Sequence, residues 1–158
     1  MTIIMARELP EVALLQRYAT DPTCYTDCLT RDEKGQIDLT TYVAAFYSTW
    51  LFKLERGLLG LLGKSATDAQ ARDMAEGHTS TFSAWTVEAR NGQQLLMCDM
   101  GGATRSWFMV APEGDKTRLY FGSAVTKGDS WVVKLLMPFH HWYARALLRA
   151  VKLQLSAT

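Results

Sequence analysis

The hydrophobic positions of the chain change period twice. From residue 39 they recur at helical spacing: Leu39, Tyr42, Val43, Phe46, Trp50, Leu54, Leu58 and Leu61 share one stripe. Asp38 stands just before them as an N-cap, so "DLTTYVAAFYSTWLFKLERGLLGLLG" predicts one long helix, punctuated near its end by Gly57, Gly60 and Gly63. "SATDAQARDMAEGH" predicts a second helix, capped by Ser65 or Thr67 and stopped by Gly77. The period then falls to two. "FSAWTVEAR", "QLLMCDM", "TRSWFMVA" and "TRLYFGSAV" predict four successive strands, joined at Asn91-Gly92, Gly101-Gly102-Ala103 and Glu113-Gly114. Helical spacing returns in "FHHWYARALLRAVKLQL", with Pro138 near the start. Upstream, "CYTDCLTR" alternates as a strand and "DEKGQ" as a turn. "ELPEVALLQRYAT" reads either as a short helix packing Val12, Leu15 and Tyr18 or as an extended arm.

Turn lengths predict strand register, and register sorts side chains between the two faces of a sheet. A two-residue Asn91-Gly92 loop sets Trp85 opposite Cys98. A three-residue glycine turn sets Asp99 opposite Arg105, and a turn at Glu113-Gly114 sets Trp107 opposite Tyr120. One face then holds Trp85, Val87, Leu96, Cys98, Ser106, Phe108, Val110, Leu119 and Phe121 and should pack on helices. The other holds Thr86, Glu88, Arg90, Leu95, Met97, Asp99, Arg105, Trp107, Met109, Arg118 and Tyr120. On this mixed face Asp99 and Arg105 are expected as a cross-strand ion pair. The face is an interaction patch if nothing covers it; the alternative is that the N-terminal segment or a helix lies over it.

The order strand, helix, helix, four antiparallel strands and long C-terminal helix predicts an α+β fold, with the sheet packed on that helix and a helical segment after the first strand. The order resembles the helix-grip fold of the Bet v 1-like, START-related superfamily, shortened by strands. The stretches "YTDCLT", "AFYSTWLFKLERGLL", "FSAWTVEARNGQQLLMCDMGGATRSWFMV", "TRLYFGSAV" and "YARALLRA" resemble a family of uncharacterised proteobacterial proteins of similar length. That resemblance implies a bacterial cytoplasmic protein. It implies no activity, cofactor or catalytic residue.

Composition narrows the function without fixing it. At 158 residues the chain suits one domain with a real core. A formal charge of +1 supplies no general field for nucleic acid. Cys24, Cys28 and Cys98 match no zinc spacing and predict free thiols in a reducing compartment. The N-terminus lacks a basic region followed by a long apolar run, and no apolar stretch is long enough to span a bilayer, so a cytoplasmic location is expected. The Gly57, Gly60 and Gly63 spacing is not that of a phosphate loop. Adjacent His140 and His141 point in different directions on a helix, which disfavours one shared metal. No metal, cofactor or catalytic residue is assigned.

Four functional readings follow. A small apolar ligand held between sheet and helices, in a cavity of several hundred Å3 as is typical of such sites, would be lined by Arg56, Trp85, Arg105, Ser106, Phe108, Phe121 and Trp142, with Arg56, Arg105 or Ser106 as polar anchors. A homodimer would use Met97, Asp99, Trp107, Met109 and Tyr120 on the mixed face. An enzyme on a hydrophobic substrate would need Glu55, Glu88, Asp99 or a histidine as base, yet no spacing fixes a catalytic pair. The basic stripe His141, Arg145, Arg149 and Lys152 allows peripheral membrane association, or simply the solvated edge of a core helix.

Overall fold

The computed structural model describes residues 3–49, 52–53, 67–99, 101–126 and 131–151, and for 131–137 the backbone course. The elements are β1 (Ile4–Ala6), α1 (Gln16–Ala19), β2 (Tyr25–Lys34), α2 (Leu39–Tyr47), α3 (Asp68–Glu76), β3 (Thr81–Phe82), β4 (Trp85–Arg90), β5 (Gln94–Asp99), β6 (Thr104–Glu113), β7 (Lys116–Val125) and α4 (Trp131–Ala150). The strands form one antiparallel seven-stranded sheet in the order β1-β2-β7-β6-β5-β4-β3. The fold is therefore α+β, as the periodicity predicts.

Helix boundaries follow local chemistry. The Asp38 side chain accepts a hydrogen bond from the Thr41 N–H at 2.7 Å and starts α2. Thr67 and Gln70 form a reciprocal capping box at the start of α3, and Gly77, at φ +84°, closes it in the left-handed conformation. The predicted long helix differs from what is observed. It is interrupted after Tyr47, at Ser48 and Thr49, and Phe52 and Lys53 are helical again, the Lys53 N–H donating to the Thr49 carbonyl at 2.9 Å. Trp50, Leu54, Leu58, Leu61, Glu55, Arg56 and the three glycines lie outside the described residues. The last helix starts earlier than expected, at Trp131, so Pro138 sits in its interior and removes one backbone donor from the ladder. β2 also runs on through "DEK" to Lys34, and Gly35, at φ +90°, makes the turn.

Both faces of the sheet are covered. On the helix face, Phe46 packs edge-on against Phe108 at 4.8 Å between ring centroids and stacks on Phe121 at 4.9 Å. Around them α2, α3 and α4 bury Tyr42, Val43, Tyr47, Ala71, Met74, Ala144, Leu147 and Leu148. On the opposite face residues 9–18 form a strap. Ala13 and Leu15 are buried there over Cys28, Leu96, Trp107, Met109 and Ala124, and Leu9, Leu14 and Tyr18 pack beside them. "ELPEVALLQRYAT" is thus an irregular strap with only one helical turn, anchored by Leu15. Val12, expected to pack, is exposed.

The predicted facing of β5 is overturned. Leu95, Met97 and Asp99 lie on the helix face, whereas Leu96 and Cys98 lie under the strap side. Two local devices cause this. The Asp99 carboxylate accepts from Ala103 N–H (3.0 Å), Thr104 N–H (3.2 Å) and Thr104 Oγ1–H (2.7 Å), so Asp99 closes its own turn and the loop gains a residue. Arg105 consequently stands opposite Cys98, not Asp99. On the other edge the Asn91-Gly92 turn moved to Gly92-Gln93, which slipped the register by two and set Arg90 opposite Leu95, and a bulge between Val87 and Ala89 took one residue back, a net change of one that puts Trp85 opposite Asp99. Each change is odd in number, so both invert β5. The third turn also moved, to Gly114-Asp115. It slipped the register by two, leaving Trp107 opposite Gly122 and the faces of β6 and β7 unchanged.

Candidate functional site

A row of residues across the middle of the sheet breaks the apolar helix face. Asp27 on β2 stands opposite Ser123 on β7, and Ser123 stands opposite Ser106 on β6. Alternation puts all three on the face of Leu29, Phe121 and Phe108. Over this row passes α4, which turns His140, Tyr143, Ala144 and Leu147 toward the sheet at helical spacing. A cavity of about 160 Å3 remains between them. Its apolar wall includes Phe46, Tyr47, Phe52, Trp85 and Phe121, and its polar wall includes Thr104, Ser106, Ser123 and His140.

Two polar atoms of that wall lack hydrogen-bond partners among the described residues: Ser123 Oγ and His140 Nε2. Ser123 is only 2% exposed. A buried polar group without a partner costs about 1–3 kcal/mol, so these two atoms leave unused hydrogen-bonding capacity on the cavity wall. Behind them lies Asp27. One of its oxygens accepts the Ser123 backbone N–H at 2.9 Å, while the other stands 3.6 Å from His140 Nε2 and 4.0 Å from His141 Nε2. The 3.6 Å approach is too long to satisfy the imidazole nitrogen. Tyr25 also reaches the carboxylate, at 3.4 Å, and its hydroxyl meets His141 Nε2. Burial and then the neighbouring Asp27 push the Tyr25 phenol up to about 12, so it remains a hydrogen-bond donor at neutral pH.

The sequence-predicted ligand residues divide. Trp85, Ser106 and Phe121 line the cavity. Arg105 lines it as well, but its guanidinium is turned to the strap side. There it pairs with Glu88 at 2.6 Å, donates to Tyr18 Oη at 2.9 Å and lies over the Tyr18 ring, so it is no ligand anchor. Phe108 is wholly buried core and does not line the cavity. Trp142 is 61% exposed and turned away, because the sheet-facing positions of α4 are His140, Tyr143, Ala144 and Leu147. Arg56 lies outside the described residues. The cavity is smaller than the several hundred Å3 expected.

The interaction patch is corrected more fully. Met97 is buried on the helix face, Asp99 closes its turn, and Trp107 and Met109 are buried, with Tyr120 packed beside them, under the strap of the same chain. The expected Asp99–Arg105 ion pair is replaced by Arg105–Glu88, which also receives the Tyr18 hydroxyl at 2.6 Å. Cys98 is half-buried, and desolvation raises its thiol, which disfavours the nucleophilic thiolate. Asp73, Glu76 and His78 gather at the exposed end of α3, away from the cavity. No helix among the described residues is long and apolar enough to cross a membrane.

Sequence reasoning missed Asp27 and Ser123, whereas His140 is partly packed and His141 exposed, as their places on the last helix suggest. The signal was present for the first two: each shares the parity of apolar neighbours, Leu29 for Asp27 and Phe121 for Ser123, and a polar residue on an apolar face asks for a partner.

No family model matches the chain, and no curated protein does either. Among solved structures it is similar to CalU16 from Micromonospora echinospora, at 11% identity and a TM-score of 0.44, over 96% of this chain and 80% of that one.

Proposed function

We propose that the chain is a non-catalytic small-ligand-binding module of the helix-grip kind, in which α4 closes a ring-sized molecule against the sheet. The observation that carries this reading is Ser123 Oγ, buried, without a partner among the described residues, and on the wall of an aromatic cavity. Six aromatic side chains would enclose the apolar body, with Ser123 and His140 holding one polar group. About 150 Å3 is the space that admits benzene in an engineered apolar cavity, so the guest is one ring and not a lipid chain. A molecule of that size binds in roughly the millimolar to micromolar range.

The test is native mass spectrometry of the protein purified from its own host, paired with amide NMR titration by single-ring fragments. A retained small mass, or fragment-induced shifts centred on Phe121, Ser123 and Ala144 that Ser123→Leu abolishes, is the expected result. A bare protein mass together with silence across the fragments removes the reading.

A further inference from the structure

Resting on that ligand-binding reading, the polar row narrows the chemistry of the guest. We infer that the cavity selects a single aromatic ring bearing a neutral hydroxyl group, a phenol or aryl alcohol, and rejects an aryl carboxylate.

The balance of donors and acceptors on the wall sets this selectivity. Ser123 Oγ offers one hydrogen to give and lone pairs to receive. His140 Nε2 is the second group on the wall without a hydrogen-bond partner among the described residues, and it gives or receives according to its tautomer. A hydroxyl both donates and accepts, so one such group seated between them satisfies both at once. A bare hydrocarbon leaves both groups buried and unpaired. Ser106, directly across from Ser123, adds a second hydroxyl on the same side.

The excluded class follows from Asp27. Its carboxylate lies next in the row, with one oxygen on the Ser123 N–H and the other 3.6 Å from His140 Nε2. The cationic side chain nearest along β6, Arg105, is committed to Glu88 on the other face. A guest carboxylate brought to Ser123 and His140 would therefore meet a fixed negative charge in a half-buried site, where like charges repel more strongly than in water. Asp27 does not line the cavity; it acts through His140 and through the backbone of Ser123, as a positioning and charge-setting residue.

The probes are phenol, toluene and benzoate, titrated separately into the full chain and followed by amide NMR. The wild type is expected to bind phenol about tenfold more tightly than toluene, the size of one to two net hydrogen bonds, and benzoate not measurably. Ser123→Ala should cut the preference for phenol over toluene several-fold while toluene binding persists, which also shows the cavity intact. Asp27→Asn retains an oxygen for the Ser123 N–H and should admit benzoate. Equal binding of phenol and toluene, or wild-type benzoate binding as tight as phenol, overturns the selectivity while leaving a ligand cavity in place. No binding by any of the three overturns the selectivity and the ligand reading together.

Discussion

At Gly122 there is no room for a β-carbon. One placed there would meet Leu15 Cδ2 and Trp107 Cε3 at 2.8 Å each and the Asp27 carbonyl oxygen at 2.9 Å. The missing side chain is what lets the strap press Leu15 onto the sheet beside the Trp107 ring, so a single position couples the N-terminal segment to the strand that carries Ser123. Gly122→Ala is expected to destabilise the fold by about 1–3 kcal/mol, as overpacking does, and a shift in the denaturant midpoint at unchanged slope measures it. Gln94 does the polar part of the same task. Its side-chain oxygen accepts from the Leu14 N–H (2.8 Å) and from Trp107 Nε1–H (2.9 Å), and its amide donates to the Val12 carbonyl (3.0 Å). Gln94→Leu fills similar space but strands these three groups, at a cost of roughly 1–3 kcal/mol for each one left buried and unpaired. Trp107 emission should move to the red as the strap loosens; unchanged emission and stability would show the strap held by Leu15 alone.

Elements differ in how far they could be read. The existence and type of β2, β4, β5, β6, β7, α2, α3 and α4 follow from a clean period, because burial on one face leaves a mark every second or every third-to-fourth residue. Facing along β5 did not follow, since it rests on loop lengths that Asp99 and the Glu88 bulge each changed by an odd count. The same bulge has a purpose at this scale. It lets the consecutive Glu88 and Ala89 both face the strap side, Glu88 reaching Tyr18 and Arg105, and so returns Arg90 to the helix side, where it meets the end of α3. Burial pushes the Glu88 carboxyl up, but hydrogen bonds from Tyr18 and Arg105 and the charge of Arg105 outweigh it. The net result lies below the ordinary value near 4.5. A carboxyl held low in the folded state adds stability above its unfolded value, and that stability drains as the pH falls through the folded value. Wild type is therefore expected to lose strap stability from just below pH 4.5 downward, and Glu88→Gln to flatten that part of the profile. The measurement is the unfolding midpoint against pH for both proteins. Parallel curves would place the acid sensitivity elsewhere.

The whole molecule is a sheet with a cover on each side, and the candidate site was legible only on the half of it built by neighbouring strands. Ser106, Trp85 and Phe121 come from hairpins whose order is given by succession. Asp27 and Ser123 meet because β2 pairs with β7 across the intervening chain, a contact that no turn announces. That same long-range pairing fixes the helix cover. Arg31, on β2 and only 7% exposed, sends its Nη1 to the carbonyls of Leu148 (2.8 Å) and Val151 (2.9 Å), with Glu33 holding Nε. A guanidinium at the C-terminal end of a helix satisfies carbonyls that the helix cannot and answers the negative end of its dipole. Arg90 repeats the device on α3, at the carbonyls of Met74 and Ala75. Since α4 supplies His140, Tyr143, Ala144 and Leu147 to the cavity, Arg31 fixes one end of the wall that closes it. Arg31→Met keeps the apolar stem and removes the donors, with an expected loss of about 1.5–3 kcal/mol for hydrogen bonds from a charged group. The loss should be local: amide exchange over 144–151 should speed up while β6 and β7 keep their protection, because the aromatic packing of Phe46, Phe108 and Phe121 does not involve Arg31. Equal loss of protection in α4 and in β6 would mean instead that helix and sheet open as one unit, and that the cavity cannot be exposed without unfolding the core.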